Sequence, residues 1–163
     1  MRIILLDTNV LVDYSMGEEP VCSHCKKIIG YASNSKAAVY VALHSLKDAY
    51  YILSARLKEM ERKESGDVSE AFARAVKEVA WASTKQLGQQ LLIVSEGRNE
   101  HEQAFVYKGL HNDYEDNLVL SAAYTAKANL LVTNDATLIG HSPIAALSSE
   151  EAVALLDAEL GQQ

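Results

Sequence analysis

The sequence predicts an α/β fold, a parallel central sheet with helices on both faces, in the form of an α/β/α sandwich. Three observations point to it. Short runs recur that are apolar at every position, and segments with apolar residues every three to four positions alternate with them. The 163 residues are 48% hydrophobic, which is enough for one domain with a sizeable core.

The elements follow in order. Ile3 to Leu6 is the first run of strand type, and it ends on Asp7. A helix follows, with Asp13 facing solvent near its end, and a second begins around Cys22 and Cys25. Ala38 to Val41 is the second strand. Leu46, Tyr50, Leu53, Leu57 and Met60 then step by fours and threes, as do Val68, Ala71, Phe72, Ala75, Val76 and Val79. Ser65-Gly66-Asp67 separates these two helices, with Gly66 as terminator and Asp67 as the next cap. Together they predict a helical hairpin at about 55–88 within a single domain spanning 1–163. Leu91 to Val94 is the third strand, and Asn112-Asp113 precedes a helix from about Tyr114 to Lys127. Leu130 to Val132 is the fourth strand and Pro143 to Ala146 a weaker fifth. Ser148 to Glu151 opens a last helix through Leu160.

Charge and composition exclude several functions. A formal net charge of −7 repels phosphate, so this is not a protein that simply coats nucleic acid. Met1-Arg2 and four apolar residues are too short for a signal peptide, and no run approaches the ~20 apolar residues of a membrane span. A cytoplasmic protein is expected. The two cysteines stand in "CSHC", which offers too few ligands for a zinc site and does not follow a strand as a redox pair would; structural thiols are expected. The histidines share no spacing; His44 and His111 could approach the cleft, but ordinary loop roles are expected for them. Tyr50 and Tyr51 read as packing residues, although Tyr51 could stack on a base.

The acids are the informative feature. In an open parallel sheet, ligands bind beyond the carboxyl ends of the strands. Asp7 and Asp135 follow two such ends, Asp48 comes early in the helix after the second strand, and Asp113 and Asp116 start the helix before the fourth. Converging buried anions repel one another and are costly to desolvate, so such a set is expected to hold cations. Hard oxygen donors without Cys or His at ligand spacing favour Mg²⁺ or Mn²⁺ over zinc.

The stretches "LLDTNVLVDY", "LHSLKDAYYIL", "DYEDNLVLSAA" and "LLVTNDATL", in this order over nearly the whole chain, resemble the PIN-domain ribonucleases, the family that includes the VapC toxins of bacterial toxin–antitoxin pairs. The resemblance implies that Asp7, Asp48, Asp116 and Asp135 are the catalytic, metal-binding acids and that Asp113 is an additional one. It implies that Asn9 and Thr133 orient carboxylates or water, with Asn117 able to join them. It also implies metal-dependent hydrolysis of RNA, a homodimer, and an antitoxin whose basic segment covers the acidic cleft. Two departures bear on substrate grip: Asn134 stands where many relatives carry a basic residue, and the second acid is Asp48 where glutamate is frequent. Arg56, Lys58, Arg62 and Lys63 form a basic cluster that would guide RNA, or else a solvated face paired with Glu59, Glu61 and Glu64. Two other readings stand beside this one. A silent RNA- or protein-binding module would keep the fold without metal. An aspartyl phosphotransferase would want a second aspartate two residues after Asp7, where this chain has Asn9.

Overall fold

The computed structural model describes residues 1–160. Five parallel strands form one sheet in the order β3-β2-β1-β4-β5. They are β1 (Arg2–Leu6), β2 (Ala37–Ala42), β3 (Leu92–Val94), β4 (Leu130–Val132) and β5 (Ala146–Leu147). Helices α1 (Thr8–Met16) and α2 (Val21–Ser33) connect β1 to β2. The long pair α3 (Leu43–Ser65) and α4 (Glu70–Gln90) connects β2 to β3, and α5 (Arg98–Tyr107) and α6 (Tyr114–Thr125) lead to β4. Helix α7 (Ala136–His141) precedes β5, and α8 (Ser149–Leu160) ends the described chain.

The uniformly apolar runs make sense in this sandwich, because successive side chains of a strand enter opposite layers. Ile4, Leu6, Val39, Val41, Leu130 and Val132 enter a core shared with α1, α2 and α8. Leu5, Ala42 and Leu131 enter a second core with Val119, Leu120, Ala122 and Ala123 of α6 and Leu138 of α7. Burial on both faces leaves no position for a polar residue in the middle of β1 or β4.

The exceptions lie at the edges. Leu92 and Ile93 of β3 are exposed, since an edge strand this short is covered on only part of its surface. The fifth strand forms at Ala146–Leu147, three residues later than the apolar Pro143 to Ala146 run starts, where it pairs with Leu131 and Val132. The helix expected to reach Lys127 stops at Thr125, and Lys127 itself turns to φ 54°. Gly66 ends α3 at φ 83°, as its position after the helix predicts. The cap of the following helix is Ser69 rather than Asp67. The Ser69 hydroxyl accepts from Phe72 N–H at 3.1 Å, while the Asp67 carboxylate is taken by the adjacent Val68 N–H.

The strand order decides where a ligand can enter. The chain runs outward from β1 to β2 and β3, then crosses to the other side of β1 to lay down β4 and β5. The connections leaving the carboxyl ends of β1 and β4 therefore diverge and open a crevice between the two strands.

Candidate active site

Asp7 stands at that crevice. It follows β1 directly and is the N-cap of α1, 5% exposed. Its Oδ1 accepts from Thr8 N–H at 2.6 Å, and its Oδ2 accepts from the Thr133 hydroxyl at 2.7 Å and from Asn9 Nδ2 at 2.8 Å. Thr133 comes from the end of β4, so the Thr133 bond ties the two diverging connections together. Burial pushes the Asp7 carboxyl up to about 6 against the Thr133 and Thr8 hydrogen bonds, and the charges of Asp116 and Glu115 add to the rise.

The β4 connection is fixed by a small polar lattice. Asn9 Oδ1 accepts from Asn134 N–H at 3.0 Å, and the Thr133 Oγ1 accepts from Asp135 N–H at 3.1 Å. Asn134 donates from Nδ2 to Asp13 at 2.8 Å and accepts at Oδ1 from Ser149 N–H at 2.9 Å. Asp13 therefore does not simply face solvent: its carboxylate holds Asn134 and also meets Arg56 of α3 at 3.8 Å. Asp135 caps α7, accepting from Thr137 N–H at 2.7 Å.

The third and fourth contributions come from helix starts. Asp113 caps α6, its Oδ1 accepting from Glu115 N–H at 2.9 Å and Asp116 N–H at 3.2 Å. Asp116 lies half-buried one turn on and accepts from His111 Nε2–H at 2.7 Å. Burial raises its pKa; the His111 bond opposes the rise, while the charges of Asp113 and Asp135 support it. Asp48 lies in α3 with Lys47 Nζ at 2.9 Å. Asn117 is 2% exposed and donates from Nδ2 to the His111 carbonyl at 2.8 Å.

Each expected site residue thus lies beyond the carboxyl ends of the strands, on four separate segments. Among the described residues, however, no three His, Cys, Asp or Glu side chains stand close enough together to hold a metal ion. Every one of these carboxylates is engaged by a cap, an amide, a hydroxyl, an imidazole or a lysine. By chemistry the donor set suits a hard divalent cation, since all are oxygen ligands; the pKa values of Asp7 and Asp116 are raised first by burial and then by neighbouring carboxylates, so a cation would favour their ionised forms. Holding an ion would require the side chains to turn from their present partners.

Sequence reasoning gave no role to Glu115 and left His44 and His111 as loop residues able to approach the cleft. Glu115 feels Asp48 and Asp116, and burial raises its pKa; its place inside "DYED" was the available signal. His111 is the direct partner of Asp116 rather than an ordinary loop residue. His44, at the start of α3, pairs through Nδ1 with Glu96 beyond β3, and its backbone N–H donates to the same carboxylate at 2.7 Å. Nothing in the local sequence announces either histidine, because their partners arrive by folding. The "CSHC" thiols are buried, as expected of structural cysteines, and burial pushes Cys25 up to about 12. Tyr51 is 63% exposed, which departs from a packing role and leaves its ring free to stack.

A crevice at the switch point of an open parallel sheet defines an α/β protein of the ligand-binding, doubly wound kind. A family model described as PIN domain matches residues 3–137, and the chain belongs to that family. Among solved structures it is similar to VapBC2 from Rickettsia felis bound to a DNA fragment from their promoter, with a TM-score of 0.61 at 16% identity over 90% of this chain and 98% of that one. It is similar also to FitAcB from Neisseria gonorrhoeae, with a TM-score of 0.58 at 16% identity over the same shares. At this identity the likeness is one of fold. No curated protein sequence matches.

Proposed function

We propose that this chain is a Mg²⁺- or Mn²⁺-dependent endoribonuclease acting as the toxin-like member of a toxin–antitoxin pair. Residues 1–163 would act as one nuclease domain into which the helical pair at about 55–88 is inserted. The observation that carries the reading is Asp7, a buried carboxylate at the β1/β4 crevice whose pKa is raised by burial and by Asp116. Family membership supports nuclease chemistry in general. The similarity to VapBC2 and FitAcB supports a protein partner, a small antitoxin covering the acids, and a homodimer is expected with it. Among the described residues no helix is long and apolar enough to cross a membrane, in keeping with a cytoplasmic role.

Asp7, Asp48, Asp116 and Asp135 are the residues proposed to carry the reaction, with Asp113 as a further metal ligand. A divalent cation bound there supplies a water of lowered pKa and a positive charge for the scissile phosphate. The chain's own residues then have separate tasks. Thr133 and Asn9 fix the orientation of the Asp7 carboxylate, and His111 does the same for Asp116. The Asp113 side chain caps the start of α6 and so fixes the first turn that carries Asp116. Because water is the nucleophile, the 2′-hydroxyl is not used and the products carry 5′-phosphate and 3′-hydroxyl ends.

The rival reading is a catalytically silent binding module, favoured by the engagement of every candidate carboxylate with a protein partner. Cleavage of mixed single-stranded RNA in EDTA, Mg²⁺ or Mn²⁺ separates the two, with wild type beside Asp7→Asn and Asp116→Asn. The nuclease reading expects cutting only with metal and a loss of at least about 100-fold in each variant, since even residues behind the ligands cost ~10–100-fold. No cutting with any metal, together with no thermal stabilisation by Mn²⁺, would establish the silent module instead.

A further inference from the structure

Beside the acids, α5 and α6 enclose a cavity of about 350 Å³ lined by Ala104, Phe105, Lys108, Asn112, Tyr114 and Asn117. Sites for small organic groups start at roughly 300 Å³. We infer that this cavity seats one nucleobase of the RNA, next to the phosphate that is cut; the inference rests on the ribonuclease reading and deepens it. Three features carry it.

The first is a rigid aromatic surface. Phe105 is 58% and Tyr114 50% exposed, with ring centroids 6.1 Å apart and planes tilted by 51°. His101 braces both: its Nδ1 meets the Tyr114 hydroxyl at 2.7 Å, and its ring stands edge-on to Phe105 at 5.0 Å. Exposed rings held in place offer a stacking face to any base without a further ordering cost. The second is an unsatisfied acceptor. Asn117 is 2% exposed and spends its Nδ2 on the His111 carbonyl, but its buried Oδ1 has no hydrogen-bond partner. An orphaned acceptor of this kind costs ~1–3 kcal/mol, which a ring N–H or exocyclic amine of a base would relieve. The third is position. The cavity is lined from the start of α6, where Asp113 is the N-cap and the Asn117 N–H meets the Asp113 carbonyl at 3.1 Å one turn on, so a base seated there lies at the helix start that carries Asp113 and Asp116. Lys108 on the rim supplies a cation for that nucleotide's phosphate. An apolar side chain from a protein partner would stack equally well on Phe105 but would leave the Asn117 oxygen and the lysine unmatched.

The test is fluorescence anisotropy with a short single-stranded RNA and an abasic ribose-phosphate strand of equal length, both in calcium buffer. The proteins compared are wild type, the double variant Phe105→Ala/Tyr114→Ala, and Phe105→Trp, which keeps a stacking face. Wild type should prefer the base-bearing strand, and the double variant should lose about tenfold on that strand and nothing on the abasic one. Phe105→Trp should retain the preference. Equal affinity of wild type for the two strands, or an unchanged preference in the double variant, overturns the base seat. So does a double variant whose only change is a different mass by light scattering, since that would make the face a protein interface. Metal-dependent cleavage measured on the same preparations keeps the two proposals apart. Cleavage without a base preference removes only the seat, whereas a base preference without cleavage removes only the nuclease.

Discussion

A carboxylate that is 5% exposed and titrates near 6 is a source of instability as well as a candidate ligand. The folded protein holds the Asp7 proton more tightly than the unfolded chain does, so protonation favours the fold. The Asp7 contribution to stability is therefore fully present below the ordinary carboxylate value of 3.8, is lost as pH rises towards about 6, and is level above it. The full difference is on the order of 3 kcal/mol. Asp7→Asn removes the charge but sets an amide against the Asn9 or Thr133 donors, so only part of this returns. In EDTA at neutral pH the variant should melt at least about 2–4 °C higher than wild type, the equivalent of ~1 kcal/mol or more in a chain this size. It should also lose the slope of stability between pH 4 and 6, and a lower melting temperature would show that the hydrogen bonds outweigh the burial of charge. With Mn²⁺ the order should reverse, because an ion that binds only the folded wild type stabilises it by mass action. Thr133→Val keeps the shape of the side chain but removes the donor to Asp7 Oδ2. Without that bond the Asp7 pKa rises further, and cleavage should fall ~10–100-fold with its acid limb displaced to higher pH. A fall in rate with an unmoved pH profile would assign Thr133 a purely structural part.

Among the elements, the junction of α3 and α4 shows how a correct segment boundary can carry a wrong cap. Gly66 is legible because its place after a long helical period requires a left-handed residue, and it adopts φ 83°. Asp67 is a good cap by type, but the chain leaves Gly66 in a direction that lets α4 begin only at Glu70. That choice depends on how α4 lies along α3, which no local pattern encodes. Ser69→Ala should therefore cost about 1 kcal/mol and Asp67→Ala less than about 0.5, read as chemical denaturation midpoints. The reverse ranking would place the cap where the sequence alone suggests it. The same distinction runs through the site. Asp7, Asp135 and Asp113 were legible because each follows a strand or opens a helix, a local property. His111 and Glu115 were not, because their roles depend on the approach of Asp116, Asp48 and Asp7 from other segments.

For the whole molecule the proposed function poses a physical problem, namely how a chain of net charge −7 would receive a polyanion. At physiological salt, charges separated by more than ~8 Å are largely screened, so the distant surface matters less than the acids at the strand ends. The basic residues of α3 are poorly placed to offset those acids. Arg62 stands roughly 20 Å along the helix from Asp48. Lys63 is paired with Glu59 at 2.7 Å, and Arg56 reaches back to Asp13. The sequence makes the sum of charge legible but not these commitments, since Asp13 meets Arg56 only through the packing of α1 against α3. On the proposed function, divalent cations bound at the crevice would be the strongest source of positive potential, and two of them would bring −7 to −3. Affinity for single-stranded RNA should accordingly be weak in EDTA and rise at least about tenfold on titrating Mn²⁺ at constant ionic strength. Asp7→Asn should lose most of the rise, whereas Lys58→Ala should change affinity less than about twofold, because one solvated charge on an exposed helix contributes little at this salt. Tight binding in EDTA that Lys58→Ala weakens would reverse the argument: α3 would then hold the RNA, and the acids would serve chemistry alone.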